Sequence, residues 1–147
     1  MSKSCGILVF RNIKPYIEYL LVFPGGPFYK NEEEKSWTIP KGEQLTNESN
    51  EETAIREFEE ETGFSVNEKL VYLGERKQRK GKKIVIYCME SDYDVSKLKS
   101  NSFEMEYPKG SGKFKTFPEI KKGKWFAKEE AKKNIHMSLE EYLEMIP

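Results

Sequence analysis

The chain has 147 residues, and 25 basic side chains balance 25 acidic ones to a formal net charge of zero. That length fits one domain over residues 1–147, and the balance gives no reason to expect a nucleic-acid partner or a membrane surface. One histidine, His136, and two distant cysteines, Cys5 and Cys88, argue against a zinc centre and against a Ser/His or Cys/His hydrolase.

Residues 4–10 and 16–23 are apolar runs with turn chemistry between them, and they predict a hairpin. A loop follows from Pro24-Gly25-Gly26-Pro27 to about Lys35, then a short strand at Trp37-Thr38-Ile39, stopped by Pro40. The clearest helix covers residues 49–62. Ser49 caps it with Glu52 three residues on, Ala54, Ile55 and Phe58 form its apolar stripe, and Gly63 ends it. Residues 70–79 and 82–89 read as strands around Lys80-Gly81, and residues 94–98 as a helical turn. Residues 102–119 are mixed, broken by Tyr107-Pro108 and Gly110-Ser111-Gly112. Residues 122–126 read as a strand. Residues 128–135 and 138–145 read as helices, the second with a capping box of Ser138 and Glu141. Interleaved strands and helices with several hairpins predict an α+β fold. No apolar run spans a bilayer and the start lacks a signal peptide's long apolar region. A cytoplasmic protein with two buried free thiols is expected.

One stretch runs against helix electrostatics. Glu57, Glu60 and Glu61 are spaced i, i+3 and i+4, so they share one face and repel. They also crowd the last turns, where the helix dipole disfavours negative charge. Each effect costs a few tenths of a kcal/mol up to about 1. A solvated acidic face partly neutralised by Arg56 is one account. A hard divalent cation that takes carboxylate oxygens is the other.

The wider stretch decides between them. Gly42 is followed by five residues and Glu48, then by seven residues and Arg56-Glu57-Phe58-Glu59-Glu60-Glu61-Thr62-Gly63-Phe64. This resembles the Nudix box, Gly-x5-Glu-x7-Arg-Glu-U-x-Glu-Glu-x-Gly-U with U apolar, at every fixed position. The resemblance implies a mixed sheet between helices carrying a loop–helix–loop motif, and hydrolysis of a phosphoric anhydride. It implies Mg²⁺ or Mn²⁺ held by Glu57, Glu60, Glu61 and the Gly42 carbonyl. It implies Arg56 as an orienting residue, paired with Glu48. Relatives draw a general base from the box or a later loop, so Glu119 is the leading candidate, with Glu57, Glu104 and Glu106 as rivals.

Pro40-Lys41-Gly42 is similar to hydrolases of diadenosine and diphosphoinositol polyphosphates, which makes Lys41 either a contact to an extra phosphate or a solvent-facing loop lysine. The basic tract at residues 76–83 is either a solvated hairpin tip or a clamp for distal phosphates. Tyr29 and Tyr107, with Phe28, are loop aromatics able to stack on a base. The expected substrate is a small nucleotide, most simply a dinucleoside polyphosphate, with no stable nucleic-acid partner, on a monomer or homodimer. Housecleaning of single nucleoside triphosphates and a non-catalytic nucleotide-binding role are the alternatives.

Overall fold

The computed structural model describes residues 2–28 and 34–146. Strand β1 (Lys3–Ile13) turns into β2 (Tyr16–Pro24), with Val9 opposite Leu20, as the two apolar runs predict. Then come β3 (Lys41–Glu43), α1 (Asn50–Thr62), β4 (Val71–Lys77) and β5 (Lys83–Glu90). The chain ends through β6 (Ser102–Glu106), β7 (Phe114–Pro118), β8 (Ile120–Ala127), α2 (Lys128–Asn134) and α3 (Glu140–Leu143).

Among the described residues, six strands make one sheet in the order β4-β5-β1-β2-β8, with β3 beside the start of β1. Among these described strands β1 and β5 run parallel and the other pairings are antiparallel, so the sheet is mixed. Side chains alternate across it. Cys5, Ile7, Val9, Leu20, Val85 and Met89 face α1, where they meet Ala54 and Phe58. Leu8, Tyr19, Leu21, Phe23, Ile84, Ile86 and Cys88 face α2 and α3, where they meet Trp37, Ala131, Ile135 and Leu143. Burying a side chain such as Phe58 contributes about 1.5–3 kcal/mol, so this seam fixes which face α1 turns outward. The result is the expected α+β layering. Cys5 and Cys88 are free and buried on opposite faces, and burial pushes the Cys5 thiol up to about 11. Among the described residues no helix is long and apolar enough to cross a membrane.

Three local readings need correction. Trp37 and Thr38 make isolated bridges to Ile135 and Val22 rather than a strand, and the paired strand falls on Lys41–Glu43. Residues 102–119 are a regular hairpin, β6–β7, in a separate two-stranded sheet. The capping box at Ser138 does not form. The Ser138 N–H goes to His136 Nδ1, and Glu141 pairs with Arg76 instead. A 3-10 turn at Met137–Leu139 and a single turn of α3 replace the longer helix. The loop expected from Pro24 to Lys35 falls partly outside the described residues, and so does Tyr29.

Candidate active site

The site is built on α1. Its capping box closes as predicted. Ser49 Oγ accepts from the Glu52 N–H at 3.1 Å, and the Ser49 N–H donates to the Glu52 carboxylate at 2.8 Å. At the other end Gly63 takes φ 77° and donates to the Glu59 carbonyl at 2.9 Å. A side chain there would also strike the Lys99 carbonyl oxygen, 2.6 Å from an ideal Cβ. With the ends fixed and Ala54 and Phe58 buried against the sheet, Arg56, Glu57, Glu60 and Glu61 are carried toward the loop that leads in from β3.

Arg56 organises this face. Its Nε and Nη2 hold both oxygens of Glu48, at 2.7 and 3.0 Å. Its Nη1 donates to Glu57 at 2.8 Å and to Glu60 at 3.2 Å, and Nη2 also reaches the Glu43 carbonyl at 3.0 Å. The fork geometry of a guanidinium allows this many partners at once. Arg56 holds the Glu48 carboxyl down to about 2, helped by the Leu45 N–H and the Thr53 hydroxyl. The repulsion between glutamates is therefore relieved in part by Arg56 itself. The expected pairing of Arg56 with Glu48 is present in the structure.

Glu61 is the buried member, only 8% exposed. Burial pushes its carboxyl well above the ordinary range, and the nearby Glu57 charge adds to this, while the Lys41 ammonium opposes it. Glu57 sits against Gly42 so closely that an ideal Cβ there would lie 2.0 Å from the Glu57 Cδ. Glycine at this position lets backbone and carboxylate share the space. Among the described residues the carboxylates do not converge into a ready cage of three ligands, because Arg56 draws Glu57 and Glu60 to itself. The donor set still suits a hard cation: carboxylates on one helix face, and a backbone segment kept open by glycine.

Glu119 is brought to the same place by a chain of backbone bonds. The Glu60 carbonyl accepts from the Asn101 N–H at 2.8 Å. The Asn101 carbonyl accepts from the Glu119 N–H at 2.9 Å, and the Glu119 carbonyl from the Gly25 N–H at 2.9 Å. Partial burial, then the charges of Glu57 and Glu60, raise the Glu119 carboxyl above its usual range. Glu57 shares the site, whereas the other two rivals lie out on the hairpin. Glu106 accepts from the Gly110 and Gly112 N–H groups and closes the β6–β7 turn. Glu104 is exposed on the hairpin, opposite Thr116. Sequence reasoning missed Asn101 and Gly25 as parts of the site. The Gly25-Gly26 pair was the available signal, and an ideal Cβ at Gly25 would meet the Pro118 carbonyl oxygen at 1.9 Å.

Lys41 lies beside Glu61, its N–H 3.4 Å from a Glu61 oxygen. It lines a cleft of about 290 Å³ with Lys35, Gln78, His136 and Ser138. Gln78, His136 and Ser138 also line a wider basin of about 860 Å³ that holds Arg76, Lys77, Lys80 and Lys82. The basic tract thus adjoins the carboxylate site through a continuous wall. Tyr107 belongs to the hairpin, where it packs edge-on against Phe28 and Phe117.

A helix presenting an arginine-braced carboxylate set, a glycine-lined approach and a cationic cleft suits chemistry on a phosphorus-containing anhydride. Comparison with known proteins agrees. The NUDIX domain profile matches residues 6–146. The chain is 35% identical over 106 residues to the asymmetrical bis(5′-nucleosyl)-tetraphosphatase of Rattus norvegicus, covering 63% of this chain and 68% of that one. The Sus scrofa protein of the same description is 30% identical over the same coverage. The C. elegans Ap4A hydrolase binary complex superposes with a TM-score of 0.63 at 21% identity, over 96% of this chain and 92% of that one. The NUDIX domain of Shewanella oneidensis NrtR, complexed with ADP ribose, gives 0.64 at 17% identity, over 97% and 85%. The chain belongs to the Nudix family and is a pyrophosphohydrolase of that class.

Proposed function

We propose that this protein hydrolyses dinucleoside polyphosphates, with diadenosine tetraphosphate as the simplest substrate, using Mg²⁺. The observation that carries this reading is the cationic cleft running from Lys41 to the basic basin. A single short diphosphate does not need that length, and a chain of four phosphates does. The names of the rat and pig relatives support the same substrate class.

Glu57, Glu60, Glu61 and the Gly42 carbonyl would hold the metal, which neutralises phosphate charge and lowers the pKa of bound water when present. Arg56 keeps Glu57 and Glu60 in register and does not touch substrate. Glu48 locks Arg56 from behind. Lys41 meets a phosphate oxygen next to the cleaved anhydride. Glu119 takes the proton from the attacking water, its carboxyl raised above the usual range by partial burial and by the charges of Glu57 and Glu60. The free, buried thiols of Cys5 and Cys88 support a reducing, cytoplasmic setting.

The test is product analysis with Mg²⁺ and a substrate panel. Diadenosine tetraphosphate split into ATP and AMP supports the proposal. Pyrophosphate released from a single nucleoside triphosphate, with the dinucleotide untouched, assigns housecleaning instead. No metal-dependent turnover on any substrate points to a binding role.

A further inference from the structure

The β6–β7 hairpin stands outside the main sheet and no catalytic step above uses it. Its root is tied into the site through Asn101, Glu119 and the Gly25 loop. Its two faces differ sharply. Phe103 and Met105 on β6 stand opposite Phe117 and Lys115 on β7. Tyr107 continues this face, its ring 6.2 Å from Phe117 and under the Lys115 ammonium at 5.6 Å. Phe103 and Phe117 pair at 5.9 Å, and the Phe103 ring tip lies 3.3 Å from an ideal Cβ on Gly26. Toward the tip the packing opens. Phe28 meets Tyr107 edge-on at 6.4 Å and is 73% exposed.

Strand register places this face relative to the cationic cleft. Lys3 pairs with Lys83, Leu20 pairs with both Val9 and Trp125, and Pro24 pairs with Ile120. The β4–β5 turn, the start of β1, the end of β2 and the start of β8 therefore share one end of the sheet. β3 and the carboxylates sit between. The basic turn lies on one flank and the hairpin root on the other, about four strand spacings or roughly 19 Å apart. A substrate with one nucleobase and a long anionic tail matches this layout in one direction only.

Resting on the proposed substrate class, we propose that Tyr107 and Phe28 form the nucleobase platform of this enzyme. The base stacks at the open end of the hairpin's aromatic face, Lys115 faces the adjoining phosphate, and the remaining phosphates run past Lys41 toward the β4–β5 turn. Aromatic stacking accepts any base face, and the lysine supplies the charge complementarity that a bare apolar patch lacks.

The experiment compares binding of two probes by calorimetry in Mg²⁺: non-hydrolysable α,β-methylene-ADP and inorganic tripolyphosphate. Tyr107→Ala and Phe28→Ala should each weaken the nucleotide about 10-fold and leave tripolyphosphate unchanged, while Tyr107→Phe retains binding. In turnover, KM for diadenosine tetraphosphate should rise with kcat held. Equal weakening of both probes, no weakening of the nucleotide, or wild-type protein that binds the nucleotide no better than tripolyphosphate overturns the platform. If the nucleotide effect appears but wild-type protein leaves dinucleotides uncut, the platform stands and the substrate proposal fails.

Discussion

A single methyl group at position 42 separates the demands of catalysis from those of folding. An alanine Cβ on the Gly42 backbone would lie 2.0 Å from the Glu57 Cδ and 2.1 and 2.4 Å from its two oxygens. Real Cβ contacts essentially never fall under 3.0 Å, so the carboxylate must retreat by at least about 1 Å. The obstructed group is the free end of a flexible side chain, so β3 and α1 need not move. Stability should fall by less than about 1 kcal/mol, the scale of one partly exposed ion pair with Arg56. A displacement near 1 Å at a reacting centre costs about 100-fold in rate. Gly42→Ala should therefore melt close to wild type, need more Mg²⁺ and lose about 100-fold in kcat on diadenosine tetraphosphate. Thermal melts, a Mg²⁺ titration and steady-state kinetics read all three. Wild-type kcat with unchanged metal dependence would refute the placement of Glu57. A melting temperature lowered by more than about 10 °C, several kcal/mol for a domain this size, would show that the backbone moved instead.

Arg56→Lys keeps the charge but loses the fork that grips Glu48, Glu57 and the Glu43 carbonyl together. Activity should drop by 10-fold to about 100-fold, and added Mg²⁺ should recover part of it; full activity at ordinary Mg²⁺ would remove Arg56 from its orienting role. Glu119→Gln should lower kcat by about 100-fold with KM little changed, whereas a wild-type kcat would hand the base to Glu57. Lys128 and Lys132 hold the Glu144 carboxyl down to about 2, from the ordinary 4.5. Its folded value lies below the unfolded one, so its stabilising contribution is complete above about 4.5 and is lost as pH falls toward 2. Glu144→Gln should accordingly melt lower at pH 7 and converge with wild type over that window. A deficit that stays constant with pH would contradict the pairing.

Most of the site could be read from local pattern because its determinants are local. Ser49, Glu52 and Gly63 set the ends of α1, and the glutamate spacing sets one face, all within one helix. What escaped reading depends on distant partners. Glu141 has the spacing of a capping residue, yet Arg76 takes it from across the fold. The β6–β7 turn has no two-residue glycine signal, and the Glu106 carboxylate closes it by accepting two backbone N–H groups. Trp37-Thr38-Ile39 has strand composition, but Pro40 offers no N–H and the chain moves on to pair at β3. The parallel pairing of β1 with β5 joins segments some 80 residues apart, beyond the reach of periodicity.

The backbone bonds that root the β6–β7 hairpin have a consequence for how such an enzyme diversifies. Glu60, Asn101, Glu119 and Gly25 are joined through amides and carbonyls, which every residue type except proline can supply in full. The side chains between residues 102 and 118 are thereby released from holding the reaction centre in place. That segment behaves as an interchangeable cartridge: its aromatic and charged positions are free to be rewritten for a different ligand, while the hydrolytic machinery beneath keeps its alignment.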